Sequence, residues 1–230
     1  MSKILFFSSG PEYWRDLLAD PHKQWQPGYS ACTLAHCWEA TDKFPPEITH
    51  AFDQTDDPLL ANLSPILAIP EFKVSLPGGT RASQNDIFVL ARSTAGPISI
   101  MVEGKVNETF GPTIDEWQKE YSHGKEKRLA FLMRSLGLKS LPDGALRYQL
   151  LHRAVSAIIT AEQYHAVAAV LLIHSFSAKK AGWPDYQAFA NLFGVKALLG
   201  IVQRLGYNTY IPLFGLWVVG DLSFLQCEEN

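Results

Sequence analysis

Apolar runs with a strand-like pattern predict a sheet in the middle of the chain. Three of them cover residues 66–76, 86–91 and 98–106, and short connectors rich in Gly, Pro, Ser and Thr separate them. Such connectors join antiparallel neighbours, so the runs predict a three-strand meander. Residues 166–173 are apolar at both odd and even positions and are rich in β-branched side chains. This run therefore predicts a central strand that is covered on both faces.

Helical periodicity occupies most of the remaining chain. It predicts helices over residues 11–19, 31–40, 114–136, 147–162, 185–193 and 195–205. Gly124 predicts a kink or break in the third of these helices. Residues 207–219 predict an aromatic strand, which Pro212 would push toward a sheet edge or a bulge. With the first two helices counted as one N-terminal helical region, the predicted order is α, β, β, β, α, α, β, α, α, β.

Composition narrows the class of protein. The chain has 230 residues, with 47% hydrophobic and 19% charged side chains, which indicates one globular domain and excludes disordered, collagen-like and coiled-coil proteins. The longest apolar run and the short apolar start predict no membrane span and no signal peptide, hence a cytoplasmic protein. The three cysteines lack CxxC spacing, so we expect core side chains rather than disulfides or a zinc knuckle.

Charge is distributed unevenly. The chain carries a net charge of −3, yet residues 119–153 contain eight basic against three acidic side chains. A basic segment is typical of an enzyme that binds phosphate, but charged surface helices give the same count. On the predicted helix, Lys127 and Arg134 lie opposite the apolar face, and they are the candidate nucleic-acid contacts.

One constellation could carry chemistry. A hairpin whose turn centres near residues 94–95 places Asp86 opposite Glu103. Lys105 shares a strand face with Glu103. Two carboxylates provide the hard oxygen ligands that Mg²⁺ prefers, and a lysine can orient a water nucleophile. The alternative is a cross-strand ion pair on a solvated face.

These residues resemble the signature of the PD-(D/E)XK nuclease superfamily, whose restriction-endonuclease-like core runs α-β-β-β-α-β. The chain also resembles an uncharacterised bacterial family assigned to that superfamily. The match covers about residues 31–176, with Asn85 in place of the usual proline and Gly104 in place of the usual apolar residue. The resemblance implies Mg²⁺ ligands at Asp86, Glu103 and the Gly104 carbonyl, with Lys105 at the attacking water. Glu39 matches an acidic position that many members have on the preceding helix, or it is a solvated helix residue.

The resemblance also implies an architecture and a function. We expect an α/β fold with a mixed sheet flanked by helices, in one domain spanning residues 1–230. Its core covers about 31–176, with a helical N-terminal extension over 1–60 and C-terminal helices and a strand over 183–221. The implied activity is Mg²⁺-dependent hydrolysis of nucleic-acid phosphodiesters, with Mn²⁺ as a substitute and DNA as the expected partner. A vestigial binding or regulatory module and a hydrolase of small phosphate compounds are the alternatives, and a homodimer is left open.

Overall fold

A computed structural model describes residues 5–206 and 210–226, and within them the chain forms a mixed sheet flanked by helices. The strands are β1 (Leu5–Phe6), β2 (Ser64–Val74), β3 (Ser83–Arg92), β4 (Pro97–Lys105), β5 (Ala168–Ser175), β6 (Gln203–Arg204) and β7 (Leu213–Val219). The helices are α1 (Pro11–Arg15), α2 (Pro21–Gln24), α3 (Ser30–Glu39), α4 (Pro46–Asp53), α5 (Ile114–Gln118), α6 (His123–Ser135), α7 (Tyr148–Gln163) and α8 (Trp183–Asn191). The predicted α/β class is confirmed.

The sheet has seven strands in the order β1-β2-β3-β4-β5-β7-β6. The strands β2, β3 and β4 form the predicted antiparallel meander, and β5 runs parallel to both β4 and β7. Every residue of β5 is buried, because helices cover both faces of the sheet. The order α3-β2-β3-β4-α7-β5 is the expected αβββαβ succession, with α5 and α6 placed before α7.

Alternation along the strands divides the interior into two hydrophobic cores. In β3, Ile87 and Val89 face a core that includes side chains of α3 and α4. Phe88 faces the other side, where α6, α7 and α8 pack. Because side chains of a strand alternate between faces, the end of the meander is reached by α3 from one side and by α7 from the other.

The 114–136 region is broken, but the break lies at residues 119–122 rather than at Gly124. α5 ends at Gln118 and α6 begins at His123, with Gly124 in its first turn. Gly124 lies against Gly78 of the turn between β2 and β3, and a Cβ at position 124 would come 2.4 Å from the Gly78 carbonyl oxygen. Lys127 and Arg134 are exposed on α6, as expected.

Two predicted elements differ in the structure. Residues 195–205 are not a helix: Gly200 adopts φ +70°, and the Gly200 and Leu205 amides donate to the carbonyls of Trp217 and Leu213. Backbone pairing with β7 therefore replaces the helix. The strand predicted over 207–219 is confined to β7, and residues 207–209 lie outside the described part. Pro212 directly precedes β7, which lies between β5 and the short β6 rather than at the edge.

The N-terminal extension contains two helices more than the sequence pattern indicated, namely α2 and α4. The Pro45-Pro46 pair is typical of a chain break, but Pro46 occupies the first turn of α4. Proline fits there because a helix does not use the amide hydrogen of its first residue. Within the described ranges, none of the helices has both the length and the apolar character required to cross a bilayer.

We expect the substitution Gly124→Ala to destabilise the protein by about 1–2 kcal/mol. Helix propensity alone favours alanine by about 1 kcal/mol, but the added methyl group would overlap a backbone oxygen of the β2–β3 turn. Urea unfolding measures the difference. Lys127→Ala, on the exposed face of the same helix, serves as the control and should stay within about 0.5 kcal/mol of the parent. A stabilised Gly124→Ala protein would contradict the packing seen here.

Candidate active site

Three carboxylates stand in a row across the meander. The β2–β3 register places Glu71 opposite Asp86. The β3–β4 register places Asp86 opposite Glu103, one position beyond the last paired residues. The predicted juxtaposition of Asp86 and Glu103 is thus observed, and β2 adds a third acidic residue to it.

The backbone pairing of β3 with β4 ends just before this row. In place of a strand-to-strand bond, the Gly104 amide donates to Oδ2 of Asp86 at 2.7 Å. Glu71 has φ +51°, a conformation that few non-glycine residues adopt. Irregular backbone of this kind turns side chains away from regular sheet positions, and it clusters at functional sites.

Glu103 is buried between two cations. Lys105 Nζ lies 2.6 Å from Oε1, and Arg153 Nε lies 2.5 Å from Oε2. Gln149 also donates to Oε1, at 2.7 Å. Burial alone would raise the pKa of Glu103, but the charges of Arg153 and Lys105 outweigh it and lower the pKa to about 2. Glu103 is therefore ionised at neutral pH.

Asp86 and Glu71 have the opposite electrostatic balance. Burial and the negative charge of Glu103 raise the pKa of Asp86 to about 7, although Arg153 opposes the shift. Burial and the charge of Asp86 raise the pKa of Glu71 to about 8. The row thus holds more carboxylates than its own cations neutralise, which is the condition under which a bound cation is favoured.

Helix α7 supplies the residues that the sequence analysis missed. Gln149 and Arg153 are four residues apart and therefore lie on one helix face, toward Glu103. Arg153 also donates to the Ser83 hydroxyl and lies 3.9 Å from Asp86. The available signal was an arginine placed among the apolar positions of an otherwise buried helix. Glu71 gave no such signal, because its neighbours read as a plain strand.

Glu39 is not brought to this row. It lies at the end of α3, where it accepts hydrogen bonds from Ser8 and from Trp14 Nε1, the latter at 2.8 Å. It does not line the cavity beside Asp86. The acidic side chains that line this cavity besides Asp86 and Glu103 are Glu71 and Glu108. The surface residues Lys127 and Arg134 do not line this cavity either.

Gly104 lies between Glu103 and Lys105 on β4, so a side chain at this position would face the opposite side of the sheet. A Cβ there would approach Leu34 of α3 to 3.1 Å and Asp86 Oδ2 to 3.4 Å. The amide of Gly104 points toward Asp86. Because the carbonyl of a strand residue points the same way as its amide, the Gly104 carbonyl also lies on the Asp86 side.

A cavity of about 380 Å³ gives access to the row. Its lining combines the three carboxylates with Gln84, Lys105, Glu108, Gln149 and Arg153, and residues of the N-terminal extension close one side. Gln84 donates to Glu71 at 2.7 Å. Asn85 instead turns back and donates to the carbonyls of Phe72 and Ser83.

The donor set fits a hard divalent cation. Every donor is an oxygen, and Asp86 Oδ1 lies 3.9 Å from the nearest Arg153 nitrogen, beyond hydrogen-bond distance. Mg²⁺ typically takes one or two carboxylates and completes its shell with water and substrate phosphate. Asp86 and Glu103 would hold it, with the Gly104 carbonyl and Glu71 at the border of the site.

A second group of metal-ligand types lies on the opposite side of the sheet. Among the described residues, the one set of three whose donor atoms all lie within 4.8 Å is Cys37, Glu47 and His174. Trp38 Nε1 donates to His174 Nδ1, so the ring proton is on Nε2 and faces Glu47 at 2.6 Å. A metal at Nε2 would force that proton onto Nδ1, against the Trp38 N–H. We therefore interpret this group as a hydrogen-bonded core cluster.

Comparison with known proteins places the chain in a family. Residues 7–222 match the family model described as "Domain of unknown function (DUF6946)", and the chain belongs to that family. No curated protein and no solved structure matches the chain.

We expect Asp86 and Glu71 to make the metal-free protein less stable as the pH rises from about 4 to about 8, against the opposite contribution of His152 and His174, whose pKa values are lowered by burial. Asp86 and Glu71 have folded-state pKa values above those of the unfolded chain, so these two carboxyl groups bind more protons in the folded state in that interval. Asp86→Asn removes one of these groups. It should reduce the slope and raise the free energy of unfolding at pH 8 by about 2 kcal/mol.

Urea unfolding in EDTA at several pH values measures this effect. Glu103→Gln is the matched control and should change stability in the opposite direction, because it leaves Lys105 and Arg153 with less buried negative charge. Destabilisation by Asp86→Asn at pH 8 would contradict the electrostatic balance described here.

Proposed function

We propose that this protein is a Mg²⁺-dependent nuclease that hydrolyses phosphodiester bonds of nucleic acid at the Asp86 site. The observation that carries the proposal is the row of Glu71, Asp86 and Glu103 beside Lys105. The row lies in an accessible cavity, where the pairing of β3 with β4 ends. The αβββαβ order and the resemblance to the PD-(D/E)XK nuclease superfamily support it. DNA is the first substrate to test.

The residues of the chain divide the work. Asp86 and Glu103 present oxygens to the cation, and the Gly104 amide fixes the orientation of Asp86. Lys105 is held by Glu103 and Gln149 at the cavity wall, where its ammonium can orient the attacking water and offset the charge of the phosphate. Arg153 holds Glu103 ionised and in place, so it is a positioning residue. When bound, Mg²⁺ supplies charge stabilisation to the phosphate that undergoes attack.

A specific observation favours the second candidate, a binding or regulatory module with a vestigial site. Both oxygens of Glu103 already accept hydrogen bonds, and Arg153 bridges toward Asp86. In such a module, the guanidinium would take the place of the cation. The two candidates differ in their response to metal, so metal binding separates them without knowledge of the substrate.

We expect Asp86→Asn and Lys105→Ala to abolish metal-dependent cleavage. Asp86→Asn removes ligand charge and Lys105→Ala removes the ammonium at the water. Incubation with linear, circular and single-stranded DNA and with RNA, in Mg²⁺, Mn²⁺ or EDTA, measures the activity. For the parent protein, Mn²⁺ at about one hundred times Kd should raise stability by about 2.7 kcal/mol.

The same metal titration on Asp86→Asn serves as the control and should give a much smaller increase. An equal response of the two proteins would show that the carboxylates form no metal site and would favour the vestigial module. Metal stabilisation without cleavage of any nucleic acid would favour the third interpretation, hydrolysis of a small phosphate compound.

The exposed cations of α6 generate a separate prediction. If Lys127 and Arg134 contact phosphate, replacing either with alanine should weaken binding to all sequences alike. The log–log salt dependence should become shallower by about one unit per lost contact on duplex DNA. Electrophoretic mobility shifts over a range of salt concentrations measure this slope. An unchanged slope would assign both residues to an ordinary solvated helix face.

We also propose a cellular location and an oligomeric state. A cytoplasmic location suits an enzyme that acts on nucleic acid, and the buried Cys37 of α3 is a free thiol, which is compatible with a reducing compartment. A homodimer stays a prediction, and size-exclusion chromatography with light scattering tests it.

A further inference from the structure

A larger cleft adjoins the cavity beside the carboxylates. It encloses about 750 Å³ and shares the side chains of Gln84, Lys105, Gln149 and Arg153 with the smaller cavity. The turn between β2 and β3 lies on one side, and α5 and the first turns of α7 lie on the other. The cleft therefore lies directly beside the carboxylate row.

The charge of the cleft is opposite to that of the carboxylate row. All charged side chains of its described lining are cations, namely Lys73, Arg81, Lys105, Arg128 and Arg153. The last three already have partners: Lys105 and Arg153 bind Glu103, and Arg128 donates to carbonyls of the β2–β3 turn.

Lys73 and Arg81 differ from these cations. Both are exposed, and neither makes a hydrogen bond or ion pair with the described residues. They flank the entrance to the cleft and stay available for an anionic ligand. A polyanion is thus the ligand that this surface favours.

Aromatic rings form the opposite wall. Trp117 of α5 stacks on Tyr148 of α7 with ring centroids 4.0 Å apart and an interplanar angle of 9°. His152, one turn further along α7, lies 4.9 Å from Tyr148. The Tyr148 hydroxyl is buried beside the guanidinium of Arg128. Lys125 Nζ lies over the other face of Trp117, 5.7 Å from the ring centroid. A base that replaces this lysine side chain would gain a flat surface on which to stack.

We propose that this cleft binds an unpaired nucleic-acid strand next to the bond that the Asp86 site cleaves. Arg81 and Lys73 bind its phosphates, and the Trp117–Tyr148 wall contacts a base. A cleft of this volume is in the size range of small-ligand sites and accommodates about one or two nucleotides, not a duplex. The inference rests on the proposed function for the position of the bond, but the binding itself does not depend on cleavage.

The test measures binding in EDTA, where metal-dependent cleavage does not occur. Fluorescence anisotropy compares a short labelled oligothymidylate with a duplex that has the same number of phosphates. We expect the single strand to bind at least about tenfold more tightly. Trp117→Leu should weaken single-strand binding by about 5- to 100-fold, since one base contact with an aromatic ring contributes that much, whereas Trp117→Phe should retain most of the affinity.

Arg81→Gln should weaken binding and make the salt dependence shallower by about 0.7 unit, the value for one phosphate contact on a single strand. Lys196→Gln is the matched control, because Lys196 is exposed but does not line the cleft. Its salt dependence should equal that of the parent. Circular dichroism of each variant verifies that the fold is retained.

Equal affinity for single strand and duplex, or full affinity in both Trp117→Leu and Arg81→Gln, would overturn the inference. These outcomes are distinguishable from failure of the proposed function. Metal-dependent cleavage without a single-strand preference would refute the cleft alone. A single-strand preference that depends on Trp117, in a protein that cleaves nothing, would refute the nuclease and leave a single-strand-binding module.

Discussion

The buried carboxylate of Glu103 is the constraint on which the site depends. An ionised group that is almost fully buried is tolerated only when positive charge and hydrogen bonds surround it, and Lys105 and Arg153 provide both. Arg153 belongs to α7, so the requirement extends beyond the sheet. It ties the position of that helix to the end of β4, and the register of β4 in turn determines where Asp86 can lie.

The interrupted pairing of β3 with β4 and the excess of negative charge occur at the same row of carboxylates. Because the pairing of β3 with β4 ends before this row, the Gly104 amide donates to the Asp86 carboxylate instead of to a carbonyl of β3. The protein stabilises one carboxylate fully and leaves Asp86 and Glu71 short of positive charge. A site of this kind is unfavourable for the resting fold and favourable for a ligand, which is the usual compromise between stability and function.

Local sequence patterns predicted much of this arrangement, whereas the contacts between distant segments were not predictable from them. Alternation and turn residues predicted the meander, and hairpin geometry alone placed Asp86 opposite Glu103. Long-range partners leave weaker traces: Arg153 reaches the site through the packing of α7 on the sheet, and Glu71 reaches it through a backbone distortion in β2. The helix expected over 195–205 does not form, because backbone hydrogen bonds to β7 override the local helix propensity. Periodicity describes only how a segment relates to its own neighbours.

The two ends of the sheet have a consequence for the behaviour of the molecule in a crowded solution. Among the described residues, β1 and β6 are the outermost strands, and each has only two residues. A short border strand offers few unpaired amides and carbonyls to a second molecule, so it resists the edge-to-edge growth that leads to aggregates. The long apolar strands β3, β4 and β5 lie inside, with neighbours on both sides. The outer edge of β2 differs, because β1 pairs only with Leu67 and Ala68. Edge-to-edge contact with a second molecule would therefore be limited to the part of β2 that β1 leaves unpaired.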